Sequence, residues 1–443
     1  MGQLETDYLI VGAGAMGMAF ADEILMRDSS VRVVLLDRRA RPGGHWNDAY
    51  PYVTLHQPAA FYGVNSEPLG PGGTYLASGS EVLTYYEKVL RKWEATGRLQ
   101  FFPRCEYLGS QRFRSLMNRD SEYSVTVKRK TVDATYMKVT VPSTRPPQYE
   151  VEAGSNLVAP NELVRLGGTP SDYVVIGGGK TGIDAVLFLL KSGCAPEQIR
   201  WVIPHDAWLI DRATFDPARF IQLGSQMQEI AEGDSIEAIM ASFESSGKLL
   251  RLDPKVWPTK YRCATVSREE WEQLRRIEQV VRKGRVQRVT RENITLEQGT
   301  LQLTQDSLLV DCTADGLAKR PIRPVFDGTE ITLQATFVCQ QVFSAAWIGY
   351  LESRIADDAE KNALSCPVPH PEFVEDYFAT LVKTTENLTL GLKRFPFWFL
   401  RSRLSALNYF GVRLALRLTL RERKNQGQAI SRAKALVGIE SRP

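Results

Sequence analysis

The sequence predicts an α/β fold with two parallel sheets, and three observations support this prediction. Two short apolar runs, residues 7–11 and 172–176, each lead into a glycine-rich turn and then into a stretch whose apolar residues have helical spacing. A second apolar run follows each of these stretches. The chain has 443 residues, of which 43% are hydrophobic and 24% charged, so it can bury the cores of two or three globular domains.

The first glycine-rich turn, residues 12–17, has the spacing GxGxxG. In this spacing the first glycine makes the tight turn, the second lets the backbone approach a pyrophosphate, and the third lets helix and strand pack closely. The next apolar run ends in an acid that can accept hydrogen bonds from an adenosine ribose. An ordinary tight turn in an α/β sheet is the alternative interpretation. The residues predicted to hold this dinucleotide are Gly12, Gly14, Ala15, Met16, Gly17, Asp37 and Arg38.

The second glycine-rich turn, residues 177–182, begins about 165 residues further on. Two such units predict a flavin nucleotide and a nicotinamide nucleotide on one chain. Here the acid, Asp206, is displaced from the end of the second strand, where a carboxylate would repel a 2′-phosphate. This displacement, with Lys180 and Arg212 nearby in sequence, favours NADPH over NADH. The residues predicted to hold the second dinucleotide are Gly177, Gly179, Lys180, Thr181, Gly182 and Arg212.

The segment after Asp37 contains Gly43-Gly44-His45-Trp46, and an apolar stretch with two polar residues follows over residues 50–58. These residues resemble the FAD half of the class B flavoprotein monooxygenases, which are the flavin-containing and Baeyer–Villiger enzymes. The resemblance implies that Gly44, His45 and Trp46 lie along the cofactor and that His56 and Gln57 lie near the reactive flavin ring. Both are therefore candidate catalytic residues. For His56, a hydrogen-bonded core histidine is an equal alternative.

The same resemblance assigns four later positions to FAD. Cys105 follows a predicted strand at the place where the family's backbone reaches the adenine. Residues 307–316 resemble the strand ending in Ala-Thr-Gly that returns the family's chain to the FAD domain, which implies that Ala314 and Asp315 contact the cofactor. Gln341 stands where the family begins its last FAD-facing helix, whose N-terminus can stabilise negative charge on the reduced flavin.

The resemblance implies an oxidoreductase in which NADPH reduces FAD, O2 reacts with the flavin, and one oxygen atom passes to a small lipophilic substrate. One signature is missing, because class B proteins carry an aromatic-x-Gly-x-x-x-His motif before the second unit and residues 149–158 contain no histidine. An NAD(P)H-dependent reductase or dehydrogenase without oxygen insertion is therefore an alternative. A non-catalytic dinucleotide-binding scaffold or sensor is a second alternative, from another functional class.

Cysteine and histidine usage limits other kinds of site. The six cysteines lie far apart with no CxxC pair, and only four histidines occur. This argues against a disulfide framework, a zinc site or a dithiol redox centre, and for a reducing compartment. We therefore predict no metal and a cytoplasmic location. No run of 18 apolar residues predicts a spanning helix, and the first residues lack the pattern of a signal peptide.

The predicted organisation is two Rossmann-like domains with a helical insertion and a basic helical C-terminal segment. Residues 1–150 and 295–380 form the FAD-binding domain, residues 160–294 the NAD(P)H-binding domain with its insertion at about 206–262, and residues 381–443 the C-terminal segment. Alternating β-branched and charged residues at about 107–152 predict an antiparallel excursion out of the main sheet.

The C-terminal segment carries most of the chain's positive charge. Residues 393–443 contain twelve basic and two acidic residues, which gives +10 there and −6 for the rest of a chain with net charge +4. Apolar residues among the arginines predict a basic amphipathic helix. Such a helix lies on an anionic membrane, covers the FAD domain, or contacts a second copy of the chain in a homodimer. Nucleic acid is not expected as a partner, because no recognition motif accompanies the charge.

Overall fold

The computed structural model describes residues 2–216, 225–314 and 320–439, with the backbone alone for residues 412–424. The first part of the chain alternates strands and helices as far as β3 and then continues with three further strands. Its elements are β1 Gly2–Val11, α1 Ala15–Arg27, β2 Val33–Leu36, α2 Gly79–Ala95, β3 Leu99–Phe102, β4 Cys105–Gly109, β5 Arg112–Ser115 and β6 Glu122–Asp133.

The middle of the chain contains a second nucleotide-type unit and an insertion. Its elements are β7 Glu150–Val151, β8 Leu157–Val158, β9 Asp172–Ile176, α3 Lys180–Lys191, β10 Ile199–Val202, β11 Ala207–Asp211, α4 Gln226–Glu232, α5 Ile236–Ser245, β12 Leu249–Leu250, β13 Lys260–Val266, α6 Arg268–Leu274, β14 Val280–Val281, β15 Val286–Val289, β16 Asn293–Leu296, β17 Gly299–Gln302 and β18 Ser307–Asp311.

The last part of the chain is mainly helical. Its elements are β19 Phe326–Asp327, β20 Glu330–Thr332, α7 Gln341–Arg354, α8 Asp358–Leu364, α9 Val374–Arg394, α10 Pro396–Arg401, α11 Ala406–Tyr409 and α12 Val412–Val437. Among the described residues, no helix is both long enough and apolar enough to cross a bilayer.

The first sheet has the strand order β19-β20-β6-β1-β2-β3, with β4 and β5 attached to it as a hairpin. Residues 8–10 of β1 are buried on both faces of the sheet, which explains why they form an unbroken apolar run. Strand β6 pairs in parallel with β1 and antiparallel with β5. The prediction of an excursion out of the main sheet is therefore correct for β4 and β5 and wrong for β6.

The second sheet is parallel throughout, in the order β14-β10-β9-β18-β8. Strand β18, residues 307–311, lies beside β9, so the prediction that it returns the chain to the first sheet is wrong. The chain re-enters the first sheet at β19 and β20. Since β16 to β18 all belong to the second unit, the predicted domain boundary at residue 295 is too early.

The insertion is not purely helical, which corrects the prediction for residues 206–262. Strands β11, β12 and β13 form a separate three-stranded sheet, on which α4 and α5 pack. Helix α12 contacts α4, and its Ala429 and Ala433 are fully buried in the core that the insertion shares with α9. A local helical periodicity around residue 240 could not reveal that Ala207–Asp211 pairs with a strand about 50 residues later.

The segment before α12 packs on the first unit. The indole nitrogen of Trp398 donates to Glu23 Oε1 of α1 at 2.8 Å, and Arg403 donates to the carbonyl oxygens of Ala60 and Tyr62 at 2.9 and 2.7 Å. Of the three predicted roles for the C-terminal segment, these contacts fit the covering of the first unit. The membrane contact and the homodimer stay predictions.

Candidate dinucleotide-binding sites

The first glycine turn connects β1 to α1 at the carboxyl end of the first sheet. Gly12 has φ +105°, in the left-handed region that favours glycine, and its N–H donates to the Leu36 carbonyl oxygen at 2.8 Å. A Cβ at Gly17 would overlap the carbonyl oxygen of Gly12, so only glycine allows this approach of helix to strand. No side chain in the described residues caps α1 at Gly14. The first N–H groups of the helix therefore remain available to an anion.

Asp37 holds this turn from the end of β2. Its two carboxylate oxygens accept hydrogen bonds from the backbone N–H groups of Ala13 and Arg39, both at 2.8 Å. Burial raises the pKa of the Asp37 carboxyl. Two N–H donors leave lone pairs for further bonds, so the residue can also accept from a ribose. Arg38, in contrast, points outward and pairs with Glu106 at 3.6 Å.

The Gly43-Gly44 segment lies against the first turn. The Gly43 N–H donates to the Ala13 carbonyl oxygen at 2.8 Å, and a Cβ at Gly44 would come within 2.9 Å of the Gly14 Cα. Both glycines have positive φ. The half-buried His45 stacks on Trp46, whose indole nitrogen donates to the Tyr62 hydroxyl at 2.6 Å. The structure thus brings these predicted residues to the same edge as residues 12–17.

Cys105 is a neighbour of the same edge. It begins β4, and its backbone N–H donates to the Asp37 carbonyl oxygen at 2.9 Å. Burial raises the pKa of its thiol, so the sulfur is protonated at neutral pH. The contact with FAD that the resemblance implies for Cys105 stays a prediction.

The second glycine turn repeats the geometry of the first. Gly177 has φ +124°, and a Cβ at Gly182 would overlap the Gly177 carbonyl oxygen. Gly179 precedes α3, whose first residues are Lys180 and Thr181 and whose start no described side chain caps. A Cβ at Gly179 would meet no described atom within 4 Å. This turn therefore faces open space where a phosphate could approach the helix N-terminus.

A neighbouring strand closes each glycine turn with an Asp-x-Thr sequence, which the sequence analysis missed. Asp133 Oδ1 accepts from the Thr135 N–H at 2.8 Å and from its hydroxyl at 2.7 Å. Asp311 Oδ1 accepts from the Thr313 N–H and hydroxyl at 3.2 and 2.6 Å. The available signal was the repeat of Val-Asp-x-Thr at residues 132–135 and 310–313.

These two Asp-x-Thr turns contact the glycines directly. A Cβ at Gly12 would lie 2.8 Å from the Thr135 Cγ2, and one at Gly177 would lie 2.9 Å from the Cys312 carbonyl oxygen. Ala314, predicted as an FAD contact, follows the second of these turns and so lies in the second unit. Asp315 lies outside the described residues.

The candidate catalytic stretch, residues 50–58, reaches from the first unit to the second. The Tyr50 hydroxyl donates to Asp184 Oδ2 of α3 at 2.6 Å, and the Tyr52 ring stacks on Phe188 at 4.2 Å. The ammonium of Lys180 also pairs with Asp184. The two predicted nucleotide sites are therefore joined by direct contacts at their facing edges.

His56 lies at this junction. Its Nδ1 is buried and finds no hydrogen-bond partner among the described residues. Burial, followed by the nearby positive charges of Lys180 and Arg212, lowers the pKa of His56 to about 3. Arg212 donates from Nε to the His56 carbonyl oxygen at 3.3 Å and pairs with Glu270 at 2.7 Å. Gln57 follows, half-buried, in the same stretch.

The Gln341 side chain has buried polar atoms that lack a hydrogen-bond partner in the described chain. Gln341 is the first residue of α7, and these atoms are its Oε1 and Nε2. A buried unpaired polar group costs about 1–3 kcal/mol, so such groups are rare unless a ligand satisfies them. Gln341 and His56 thus both fit a polar ligand, and both were predicted to contact FAD.

Several cations lie near the end of β10, and two of them, Arg282 and Arg285, were missed by the sequence analysis. Asp206, the displaced acid, is buried and pairs with Arg282 at 2.8 Å. Burial lowers the pKa of His205, and the charges of Lys260 and Arg285 lower it further. No local signal marks Arg282 or Arg285, because their position depends on the pairing of β14 with β10.

Comparison with known proteins agrees with this architecture. Residues 10–63 match the family of the NAD(P)-binding Rossmann-like domain. The chain is 49% identical over 386 residues to "Uncharacterized protein Rv2000" of Mycobacterium tuberculosis (strain ATCC 25618 / H37Rv), covering 83% of this chain and 71% of that protein.

Two solved structures share the fold. One is the polycyclic ketone monooxygenase of the thermophilic fungus Thermothelomyces thermophila, with a TM-score of 0.53 and 14% identity over 94% of this chain and 88% of that one. The other is cyclohexanone monooxygenase from Rhodococcus sp. Phi1 bound to NADP+, with a TM-score of 0.50 and 14% identity over 79% of this chain and 85% of that one. The predicted fold class, α/β with two Rossmann-like units, is confirmed.

Proposed function

We propose that this chain, which belongs to the family of the mycobacterial protein Rv2000, is an NADPH-dependent flavoprotein oxidoreductase. The observation that carries the proposal is the duplicated turn. At residues 12–17 and again at 177–182, a glycine turn at the carboxyl end of a sheet's parallel strands leads into a helix N-terminus that no described side chain caps. Each unit of this kind suits one pyrophosphate, and the contacts of residues 50–58 bring the two units together.

The first unit fits FAD. The N-terminus of α1 and the Gly14–Gly44 approach would hold the pyrophosphate, and Asp37 would accept from the adenosine ribose. Gln341 and His56 would hydrogen-bond the polar edge of the flavin, which would satisfy their buried unpaired atoms. When bound, FAD would supply the redox chemistry, because a flavin can exchange electrons with both a nicotinamide and O2.

The second unit fits NADPH. The N-terminus of α3 would hold the pyrophosphate, with Gly179 leaving room for it. The cations near the end of β10 would favour a 2′-phosphate, because Arg282 neutralises Asp206 and Arg285 lies close by. Both Lys180 and Arg212 already have carboxylate partners, so we assign the phosphate preference mainly to the cations at β10 and β14.

The finer proposal is oxygen transfer to a small, lipophilic organic substrate. The shared fold with two ketone monooxygenases supports it. With a pKa of about 3, His56 stays neutral at physiological pH. It can therefore orient a reacting group by hydrogen bonding but cannot serve as a cationic acid there. Gln57 would act beside it in the same way. The protein's contribution is then to position two cofactors and exclude water.

The reductase without oxygen insertion remains the second candidate, because residues 149–158 lack the histidine of the class B signature. The cytoplasmic location and the absence of a nucleic-acid partner also stay predictions.

The test begins with the colour of the purified, untagged chain. A yellow protein that NADPH bleaches anaerobically would support the oxidoreductase, whereas a colourless chain that does not take up FAD would overturn it. Oxygen uptake and H2O2 release would then be measured with a panel of ketones, sulfides and amines. A substrate that makes uptake exceed release supports oxygen transfer. Equal uptake and release with every compound would favour the reductase.

A further inference from the structure

Two cysteines and a histidine from three separate segments meet beside the insertion. Cys263 belongs to β13, Cys339 lies two residues before α7, and His370 lies four residues before α9. Their sulfur and ring-nitrogen atoms all lie within 4.8 Å of one another, and the sulfurs form a disulfide. The distance between the cysteines in sequence argues against disulfides, and this prediction is wrong for Cys263 and Cys339, because folding joins residues that are 76 positions apart.

The hydrogen bond of His370 fixes the direction of its free lone pair. Its Nδ1 lies 2.9 Å from the Pro371 carbonyl oxygen. Because a carbonyl only accepts, Nδ1 must carry the hydrogen, and Nε2 then presents its lone pair. That Nε2 lies 3.7 Å from the Cys339 Sγ. Histidines that bind metals are oriented in this way, with the other ring nitrogen donating to a carbonyl or carboxylate.

The backbone around the three residues is held by contacts other than the disulfide. Lys260 pairs with Glu372 at 2.8 Å, and the Tyr261 N–H donates to the Glu372 carbonyl oxygen at 2.9 Å, so β13 stays attached to the segment that carries His370. On the other side, the Val338 N–H donates to the Thr384 hydroxyl of α9 at 3.0 Å. Splitting the disulfide would therefore leave the three side chains close together.

Both cysteines also adopt an unusual backbone conformation. Cys263 has φ +55° and Cys339 has φ +57°, in the left-handed region that non-glycine residues rarely occupy. Such conformations persist where the surrounding structure imposes them, and they concentrate at functional sites.

We propose that Cys263, Cys339 and His370 form a binding site for one zinc ion when the cysteine pair is reduced, and that the disulfide is the oxidised, metal-free form of this site. Two thiolates and an imidazole are typical zinc ligands, and three protein ligands leave a fourth position for water or a small ligand. The two thiolate charges offset the charge of Zn2+, which suits a site with one buried and two half-buried ligands.

The chemistry balances with a dithiol as the reductant. The dithiol gives two electrons and two protons to the disulfide, which becomes two thiols, and the dithiol closes to its own disulfide. Zn2+ then replaces the two thiol protons, which pass to solvent, and forms two Zn–S bonds and one Zn–N bond. The site shares no residue with the two glycine turns, so its test is independent of the proposed function.

The experiment compares the reduced and oxidised forms of the full chain. The untagged protein would be reduced with dithiothreitol, separated from the reductant under anaerobic conditions and mixed with Zn2+. The zinc that stays with the protein would then be measured after gel filtration in a buffer that contains a competing chromophoric chelator. Counted in denaturant, all six cysteines should react as thiols after reduction, against four before it. We expect one zinc per reduced chain and none per oxidised chain. A fully reduced chain that retains no zinc would overturn the proposal.

Variants distinguish zinc binding at this site from nonspecific zinc binding by other thiols. Cys339→Ser should abolish zinc retention. His370→Gln leaves the disulfide intact and should weaken zinc binding by at least about tenfold, since one ligand is lost. Cys194→Ser, which removes a half-buried thiol on another part of the chain, is the matched control and should bind as wild type. Wild-type affinity in His370→Gln, or equal losses in the Cys194 and Cys339 variants, would refute a three-ligand site.

Discussion

Replacing Gly179 by alanine tests whether glycine is required at this position by a bound dinucleotide or by the fold. Gly179 has φ −85° and ψ −176°, an extended conformation that alanine adopts freely, and its Cβ would meet no described atom within 4 Å. Without a bound ligand, the folded protein therefore does not require glycine at position 179. Because alanine restricts the unfolded chain, Gly179→Ala should leave stability unchanged or raise it by about 0.4–1 kcal/mol.

The same methyl group should weaken NADPH binding. It would stand at the N-terminus of α3, where a phosphate oxygen must come within hydrogen-bond distance of backbone N–H groups. Each hydrogen bond to a charged group contributes about 1.5–3 kcal/mol, and about 1.4 kcal/mol corresponds to a factor of ten. The loss of one such bond would raise the Kd for NADPH by about 10- to 100-fold.

The assay measures thermal unfolding, FAD content and anaerobic NADPH titration on one protein preparation. Gly168→Ala is the matched control, since its Cβ also meets no described atom and the residue is exposed outside the turn. Gly182→Ala is the contrasting variant, and its overlap with the Gly177 carbonyl oxygen should destabilise the fold by about 1–3 kcal/mol. Wild-type NADPH affinity in Gly179→Ala would show that this turn does not bind the pyrophosphate, and the reasoning would fail.

Three other predictions follow from the site. Gln341→Leu removes a buried unpaired amide, so the cofactor-free protein should gain about 1–3 kcal/mol in denaturant unfolding while FAD retention falls; a loss of stability would contradict this. Arg285→Ala should raise the KM for NADPH about fivefold, the size of an exposed charge interaction of about 1 kcal/mol, and leave the KM for NADH and kcat unchanged; equal effects on both cofactors would count against a 2′-phosphate contact. Because burial holds the pKa of His56 at about 3, the unfolded chain binds a proton there that the native chain does not, and stability should fall as pH drops from 6.5 toward 3. His45 and His370, whose pKa burial lowers to about 4, add to this fall, so His56→Gln should make the slope shallower; an unchanged slope would show that His56 is not held neutral.

Local geometry explains which features the sequence could predict. The spacing of Gly12 and Gly17 encodes a turn and a close helix contact within six residues, and the structure contains both. The same holds for Gly177 and Gly182. His56 and Gln341 were predicted as cofactor contacts by resemblance alone. Each has at least one buried polar atom without a partner in the described chain, which gives a physical reason to propose that they bind a ligand.

Long-range pairing explains what the sequence could not predict. Strand β6 joins the first sheet by pairing with β1 across more than a hundred residues, and alternation of polar and apolar residues does not specify a partner. For the same reason the sheet of the insertion, the Asp206–Arg282 pair and the cysteine pair at 263 and 339 were missed. Each depends on residues that become neighbours only after the sheets have formed.

Because of the two Asp-x-Thr turns, the glycines differ in how strongly each of them indicates ligand binding. A side chain at Gly12 would collide with Thr135, and one at Gly17 would collide with the Gly12 carbonyl oxygen, so the protein's own packing requires both glycines.

The second turn is built in the same way, through Cys312 and the Gly177 carbonyl oxygen. Only the middle glycines lack such a reason, since a Cβ at Gly14 would make ordinary contact with Gly44 at 3.6 Å and one at Gly179 would meet no described atom. In both turns, therefore, the packing of the fold alone requires the first and third glycines of the GxGxxG spacing. The case for a bound dinucleotide depends on the middle glycine, and Gly179 is the position where this can be tested without disturbing the fold.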